Sequence, residues 1–287
     1  YPINYSLDEP MTRNDRMLNS ISLTPKGEGE QSVSVNQGNE RRLYLQRMEQ
    51  TFTAKAGQTL TPEFQWTGTW MHGYVYLDVK RDGKFNVAYN AAFEITEPED
   101  LMSYSYFKGR NTNGAQGNAN PGVNPPAFTL PADLKPGVYR MRYKVDWDDV
   151  DPGGSITQSI AANGGAIVDT RLIIHEDNVT ISRGTRPNGG GLNGDVLKAD
   201  GSPFTQEVIP FGEPYTVRVS PAPNFKFSHL ILRHGFNLEG DSLVFDTPQY
   251  VDTCISASQF KDNAYTIPAK HIDGDVIVIP YFSSDEG

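Results

Sequence analysis

Four side chains able to bind through ring faces and polar tips stand at alternate positions of one short segment. They are Trp70, His72, Tyr74 and Tyr76 in "TWMHGYVYLDVKRDGKF" (69–85). A strand turns alternate residues to opposite faces, so these four share a face with Asp78, and Val75, Leu77 and Val79 take the other. Flat rings with polar edges suit the apolar faces and hydroxyl rims of sugars. The competing arrangement, commoner for large aromatics, is a loop or an N-terminal arm lying over them. A second concentration of chemistry is "VDWDDVDPGG" (145–154), with the carboxylates of Asp146, Asp148, Asp149 and Asp151. An extended chain puts Asp146 and Asp148 on one side with Cα atoms about 6.6 Å apart. That spacing admits acid–base work on a glycosidic bond, or chelation of a cation. Neighbouring acids on one strand end point the same way instead of flanking a substrate. A solvated acidic turn, paired with Arg140 or Arg142, is therefore the favoured reading.

Other motifs lead to plainer readings. Asp78–Gly83, D-V-K-R-D-G, has Asp first and fifth and Gly sixth, as in Ca²⁺ loops. Lys80 holds the third ligand position and no Glu stands twelfth, so an Asp-Gly hairpin turn is expected and no metal is assigned. "GGGLNG" (189–194) matches G-x-G-x-x-G but lacks the preceding strand and following helix that place phosphate at a helix N-terminus. His72, His175, His229, His234 and His271 show no ligand spacing, and no nucleophile elbow, P-loop or zincin motif is present. Cys254, the only cysteine, excludes an intrachain disulfide and is read as a small buried apolar residue. No catalytic residue, metal or cofactor is assigned.

The elements that must position these groups read as strands. With 27 Gly, 20 Pro, 14 Tyr and 14 Phe and no long apolar helical period, the 287-residue chain is expected to be all-β. Two β-rich domains are expected: a β-sandwich, jelly-roll-like, over 1–176 with "YPINYSLDEP" as an extended arm, and a smaller β-sheet domain over 177–287. "PEDLMSY" (98–104) reads as a helical turn, 108–127 as a long polar loop and "RGTRPNGGG" (183–191) as the connection between domains. "GVYRMRYKVDW" (137–147) alternates strictly. Tyr139, Met141, Tyr143, Val145 and Trp147 face a core, while Arg140, Arg142, Lys144 and Asp146 face solvent or a charged partner. The formal charge of −10, with no Lys/Arg-rich run, argues against nucleic acid. No apolar stretch approaches the ~20 residues of a transmembrane helix. The chain begins at Tyr1 without an apolar leader, so any signal segment is expected upstream.

Two resemblances rest on particular residues. Asp78, Asp82, Gly83 and Phe85, followed by Pro131, Pro136, Gly137, Arg140, Met141 and Arg142, make about residues 40–176 similar to the GEVED-type β-sandwich module. "YTVRVSPAPNFKFSHLILRHG" and "TIPAKHIDGDVIVIPYF" make the second half resemble the internalin-type B-repeat domains of bacterial surface proteins. Both imply an exported, periplasmic or cell-surface bacterial protein, often attached to glycan-handling machinery. The expected function is then non-catalytic binding of a glycan or cell-surface partner through the aromatic face. A glycoside hydrolase, or an accessory module of one, using the carboxylates of 146–151 is one alternative. A structural spacer or adhesin stalk is the other.

Overall fold

Apolar residues at every second position drive this chain into sheets, because that spacing lets a pleated strand bury one face. A computed structural model describes residues 1–117, 124–184, 193–235 and 251–285, and it is all-β. The proposed connection at 183–191 and the "GGGLNG" run fall largely outside the described residues, as does the middle of the polar loop. The chain divides into two compact units, Tyr1–Ile174 and His175–Gly287.

In the first unit the strands are β1 (Met17–Pro25), β2 (Gln31–Ser34), β3 (Tyr44–Ala54), β4 (Thr59–Thr67), β5 (His72–Leu77), β6 (Ala88–Tyr89), β7 (Ile95–Glu97), β8 (Leu101–Tyr104), β9 (Phe128–Thr129), β10 (Gly137–Asp146) and β11 (Ala166–Ile174). One sheet runs β2-β1-β4-β9, a second runs β3-β11-β10-β5-β8, and β6-β7 form a separate hairpin. The pairs are antiparallel except β3 with β11, which run parallel. Ile21, Leu23, Leu60 and Phe64 from the first sheet meet Val75, Leu77, Met141, Tyr143 and Val168 from the second in one buried core. This is a β-sandwich.

The second sheet is covered on its other face too. All six residues of β5 and all ten of β10 are buried, which only a strand enclosed on both sides shows. The covering layer consists of the arm 1–5, Phe85, Leu101, Phe107 and the turn holding Val150. One glycine shows how closely this unit is built. Gly165 has φ 144°, and a Cβ there would sit 2.3 Å from the Val145 carbonyl oxygen. The helical turn expected at 98–104 is not formed. Its second half is β8, because Leu101 and Ser103 turn inward to pair beside β5.

The second unit contains β12 (Asn178–Arg183), β13 (Gly194–Lys198), β14 (Gln206–Pro210), β15 (Tyr215–Pro221), β16 (Phe225–His234), β17 (Val251–Ser256), β18 (Ala264–Ile267) and β19 (Val276–Ser284). They form the sheets β14-β12-β19-β16-β17 and β13-β15-β18. Val179, Ile181, Val217, Leu230, Leu232 and Val278 are in its core. Cys254 is exposed on the edge strand β17, contrary to the buried role expected of it, because its neighbour Ile255 takes the inward position.

Candidate functional site

The pleat sorts the aromatic segment as its spacing requires, but the face it creates is closed. Val75 and Leu77 enter the sandwich core, and His72, Tyr74 and Tyr76 project from the other side. Tyr74 and Tyr76 are fully buried. The Tyr74 hydroxyl donates to the Tyr106 carbonyl at 2.8 Å and accepts the Asp149 N–H at 3.1 Å. Tyr76 donates to the Val150 carbonyl at 2.8 Å. Burial pushes both phenols well above their ordinary range, so they serve as neutral donors. His72 stacks on Tyr106 with ring centroids 4.4 Å apart. Trp70 precedes the strand, in a left-handed backbone conformation (φ 64°), and only its ring of the four is substantially exposed, at 48%. The open platform expected of Trp70, His72, Tyr74 and Tyr76 is thus corrected. The covering layer takes up the hydroxyls of Tyr74 and Tyr76 and stacks on His72.

The charged row of β10 is buried by the same layer, not turned to solvent. Asp169 on β11, directly paired in register with Arg142, accepts from Arg142 Nε at 2.7 Å and Nη2 at 2.9 Å. It also accepts from Arg140 Nε at 3.0 Å and from the Tyr44 hydroxyl at 2.7 Å. Burial alone would raise this carboxyl, yet the charges and hydrogen bonds of Arg142 and Arg140 hold it below the usual carboxylate range. Arg142 Nη1 reaches the carbonyls of Pro2 (2.8 Å) and Pro152 (3.1 Å), and the Arg140 guanidinium lies 4.3 Å from the Tyr1 ring centroid. The arm is thereby pinned across the sheet, with the Tyr1 hydroxyl donating to Asp78 at 2.7 Å.

The acidic cluster is broken into separate duties. Asp146 is buried against Lys144 Nζ at 2.8 Å, and the same ammonium donates to the carbonyls of Asp149 (2.7 Å) and Asp151 (2.5 Å). Asp148 accepts the Lys108 N–H at 2.7 Å and pairs with the Lys108 ammonium at 3.3 Å. Asp149 accepts the Asp151 N–H, and Asp151 accepts from Gly153 N and Asn4 Nδ2. The solvated turn paired with Arg140 or Arg142 is therefore corrected as well. Lys144 pairs with Asp146 and Lys108 with Asp148; Asp149 and Asp151 accept N–H donors, and the arginines are committed to Asp169. These carboxylates tie a turn.

Besides Trp70, an exposed pair of aromatic rings lies on the covering layer. Tyr89 and Phe93, on the β6–β7 hairpin, are 39% and 49% exposed with centroids 6.1 Å apart. Asn90 Oδ1 accepts the N–H groups of Ala92 and Glu94 and shapes the tight turn in which Phe93 takes φ 61°. That conformation is unusual for a bulky residue and marks a locally over-determined site. Phe107 backs both rings, and the Lys108 ammonium stands 4.4 Å from the Phe93 centroid. Burial, and after it Asp149 and Asp151, raises the Tyr89 hydroxyl. Asp148 and Asp149 of the predicted acidic cluster are thus beside a pair of open rings that periodicity had not singled out.

The Asp-Gly turn gains a third carboxylate from a distance. Asp78, Asp82 and Asp100 bring one oxygen each to within 4.8 Å of one another, a donor set suited to a hard cation. Lys80 does not fill the loop's third ligand position; its ammonium pairs with Glu99 at 3.1 Å. Asp78 accepts from Tyr1, Asp82 N and Gly83 N, and Asp100 accepts from Val79 N and Asn86 N. Burial raises Asp78, and it raises Asp100 to about 6 with the help of the two neighbouring acids. These bonds serve the turn itself.

No family model and no curated protein matches the chain. Among solved structures, the chain is similar to the Bacillus anthracis TIE protein at 9% identity and a TM-score of 0.22, over 95% of this chain and 59% of that one. The chain thus spans less than two thirds of that neighbour, and a likeness this slight carries no argument about function. Among the described residues, no helix is long and apolar enough to cross a membrane.

Proposed function

We propose that the first unit is a non-catalytic module that binds a glycan through Tyr89 and Phe93, as part of an exported or cell-surface bacterial protein. The observation that carries this reading is the pair of open rings beside Lys108, Asp148 and Asp149. Sugar C–H faces stack on such rings, while a carboxylate and an ammonium at the rim exchange hydrogen bonds with ring hydroxyls. The exported setting is supported by the two sequence resemblances. Catalysis is disfavoured because Asp146 is buried against Lys144, and the remaining acids of the turn accept backbone N–H groups.

Affinity electrophoresis through gels cast with a panel of neutral and acidic polysaccharides tests the reading. The wild type should be retarded by at least one of them. Phe93→Ala and Tyr89→Ala should each lose at least about 1 kcal/mol of that affinity, the scale of one ring contact. Retardation unchanged in both variants, or absent across the panel, overturns it.

A further inference from the structure

The turn after β5 and the segment leading into β10 enclose an open cleft of about 400 Å³ that involves none of the aromatic-patch residues. Its walls include Val79, Lys80, Arg81, Leu134, Lys135 and Tyr139. Arg81 sits at φ 54°, and its guanidinium carbon lies 4.1 Å from the centroid of the Tyr139 ring. That ring is itself fixed, since the Tyr139 hydroxyl donates to the Lys135 carbonyl at 2.7 Å. Arg81 Nη2 is buried and has no hydrogen-bond partner among the described residues. Buried donors in folded proteins are almost always satisfied, so the guanidinium of this cleft-lining residue has hydrogen-bonding capacity left over for an acceptor from outside. Lys80 is engaged by Glu99, but the exposed Lys135 makes no ion pair among the described residues. Asp133 is the only acid in the lining, so the lining is net positive within a chain of net charge −10.

We propose that this cleft binds a small monoanionic carboxylate of sugar-acid size. The Arg81 guanidinium donates to a carboxylate oxygen, and Lys135 supplies the second positive charge. A guanidinium held over a ring is restricted in position and offers its fork of N–H donors to the planar carboxylate group. The cleft volume falls within the range of small-molecule sites. Asp133 at the same cleft penalises a doubly charged phosphate and leaves a carboxylate acceptor for a sugar hydroxyl. The site is separate from the aromatic patch and does not depend on it.

The test is a titration of the ¹⁵N-labelled full chain with sodium glucuronate, read from the amide shifts of Val79, Leu134 and Gly137. Glucose and inorganic phosphate serve as controls. Saturable shifts are expected with glucuronate, none with glucose, and binding at least several-fold weaker with phosphate. Arg81→Gln should weaken glucuronate about tenfold or more, and Lys135→Gln, on an exposed side chain that leaves the fold intact, about threefold. Phe93→Ala should leave it unchanged, so the two sites fail or succeed separately. Absence of saturable shifts with glucuronate overturns the proposal. An equal response to glucose or phosphate does the same, as does wild-type affinity in both cleft variants.

Discussion

Replacing Asp169 with Asn removes the carboxylate that pairs with two guanidinium groups inside the first unit. Asp169 is fully buried and takes hydrogen bonds from Arg142, Arg140 and Tyr44. An amide keeps the shape, but it withdraws the charge and turns an NH₂ toward donors. Removing one partner of a buried pair costs roughly 3–5 kcal/mol, since the remaining charge is left uncompensated. A unit of this size loses roughly 2–4 °C per kcal/mol, so its transition should fall by roughly 6–20 °C. All three tryptophans, Trp66, Trp70 and Trp147, lie in Tyr1–Ile174, so their fluorescence in a urea titration reports on that unit. The midpoint should drop with the slope unchanged. A variant with Asp169, Arg140 and Arg142 all made apolar should recover much of the loss, because no bare charge remains. A midpoint shift worth less than about 1 kcal/mol in Asp169→Asn would refute the reasoning, since only surface pairs cost so little.

The Asp100 carboxyl, raised to about 6 mainly by burial, should show a ¹³C titration midpoint near that value; a midpoint below pH 4.5 contradicts the geometry. Because its folded pKa lies above the ordinary 3.8, its contribution is fullest below pH 3.8 and is lost as pH rises through 6. His271 is shifted the other way, lowered by burial and then by His234, whose ring centroid is 4.4 Å away. Its contribution is present above pH 6.5 and lost as pH falls through the folded value, so His271→Gln should reduce the acid sensitivity of the second unit, followed by the NMR signals of that unit. Gly165→Ala should cost about 3 kcal/mol or more in the same tryptophan-monitored urea titration, because the Val145 carbonyl it strikes is held in the β10–β11 ladder; a near-neutral result would show that the backbone yields there.

What the sequence disclosed was local. Alternation placed Val75 and Leu77 opposite Tyr74 and Tyr76 because the pleat needs only neighbouring residues to show itself. Whether the second face stays open depends on Tyr1, Phe85, Phe107 and Val150, which are remote in the chain, so no window of sequence contains the answer. For the same reason alternation leaves the charged row of β10 facing either solvent or a charged partner, and the structure supplies the partner. Its counter-ion lies on β11, although Asp169 in the middle of "AIVDTRLII" was a visible signal of a buried acid seeking a base. Asp100 was hidden by a misjudged element, since "PEDLMSY" resembles a helix start until pairing with β5 claims its second half. Tyr89 and Phe93 escaped notice because they flank a turn and follow no period.

The Lys144 ammonium is satisfied largely by main-chain oxygens of residues 149 and 151, and the side chains there belong to other partners. The ammonium therefore depends on the number of residues between 146 and 155, whereas the Asp149 and Asp151 carboxylates serve the turn and the arm. Shortening that span by one would strand a cation within the sheet, whereas exchanging its letters would not. Loop length is the constraint that a buried ammonium sets at this edge of the molecule.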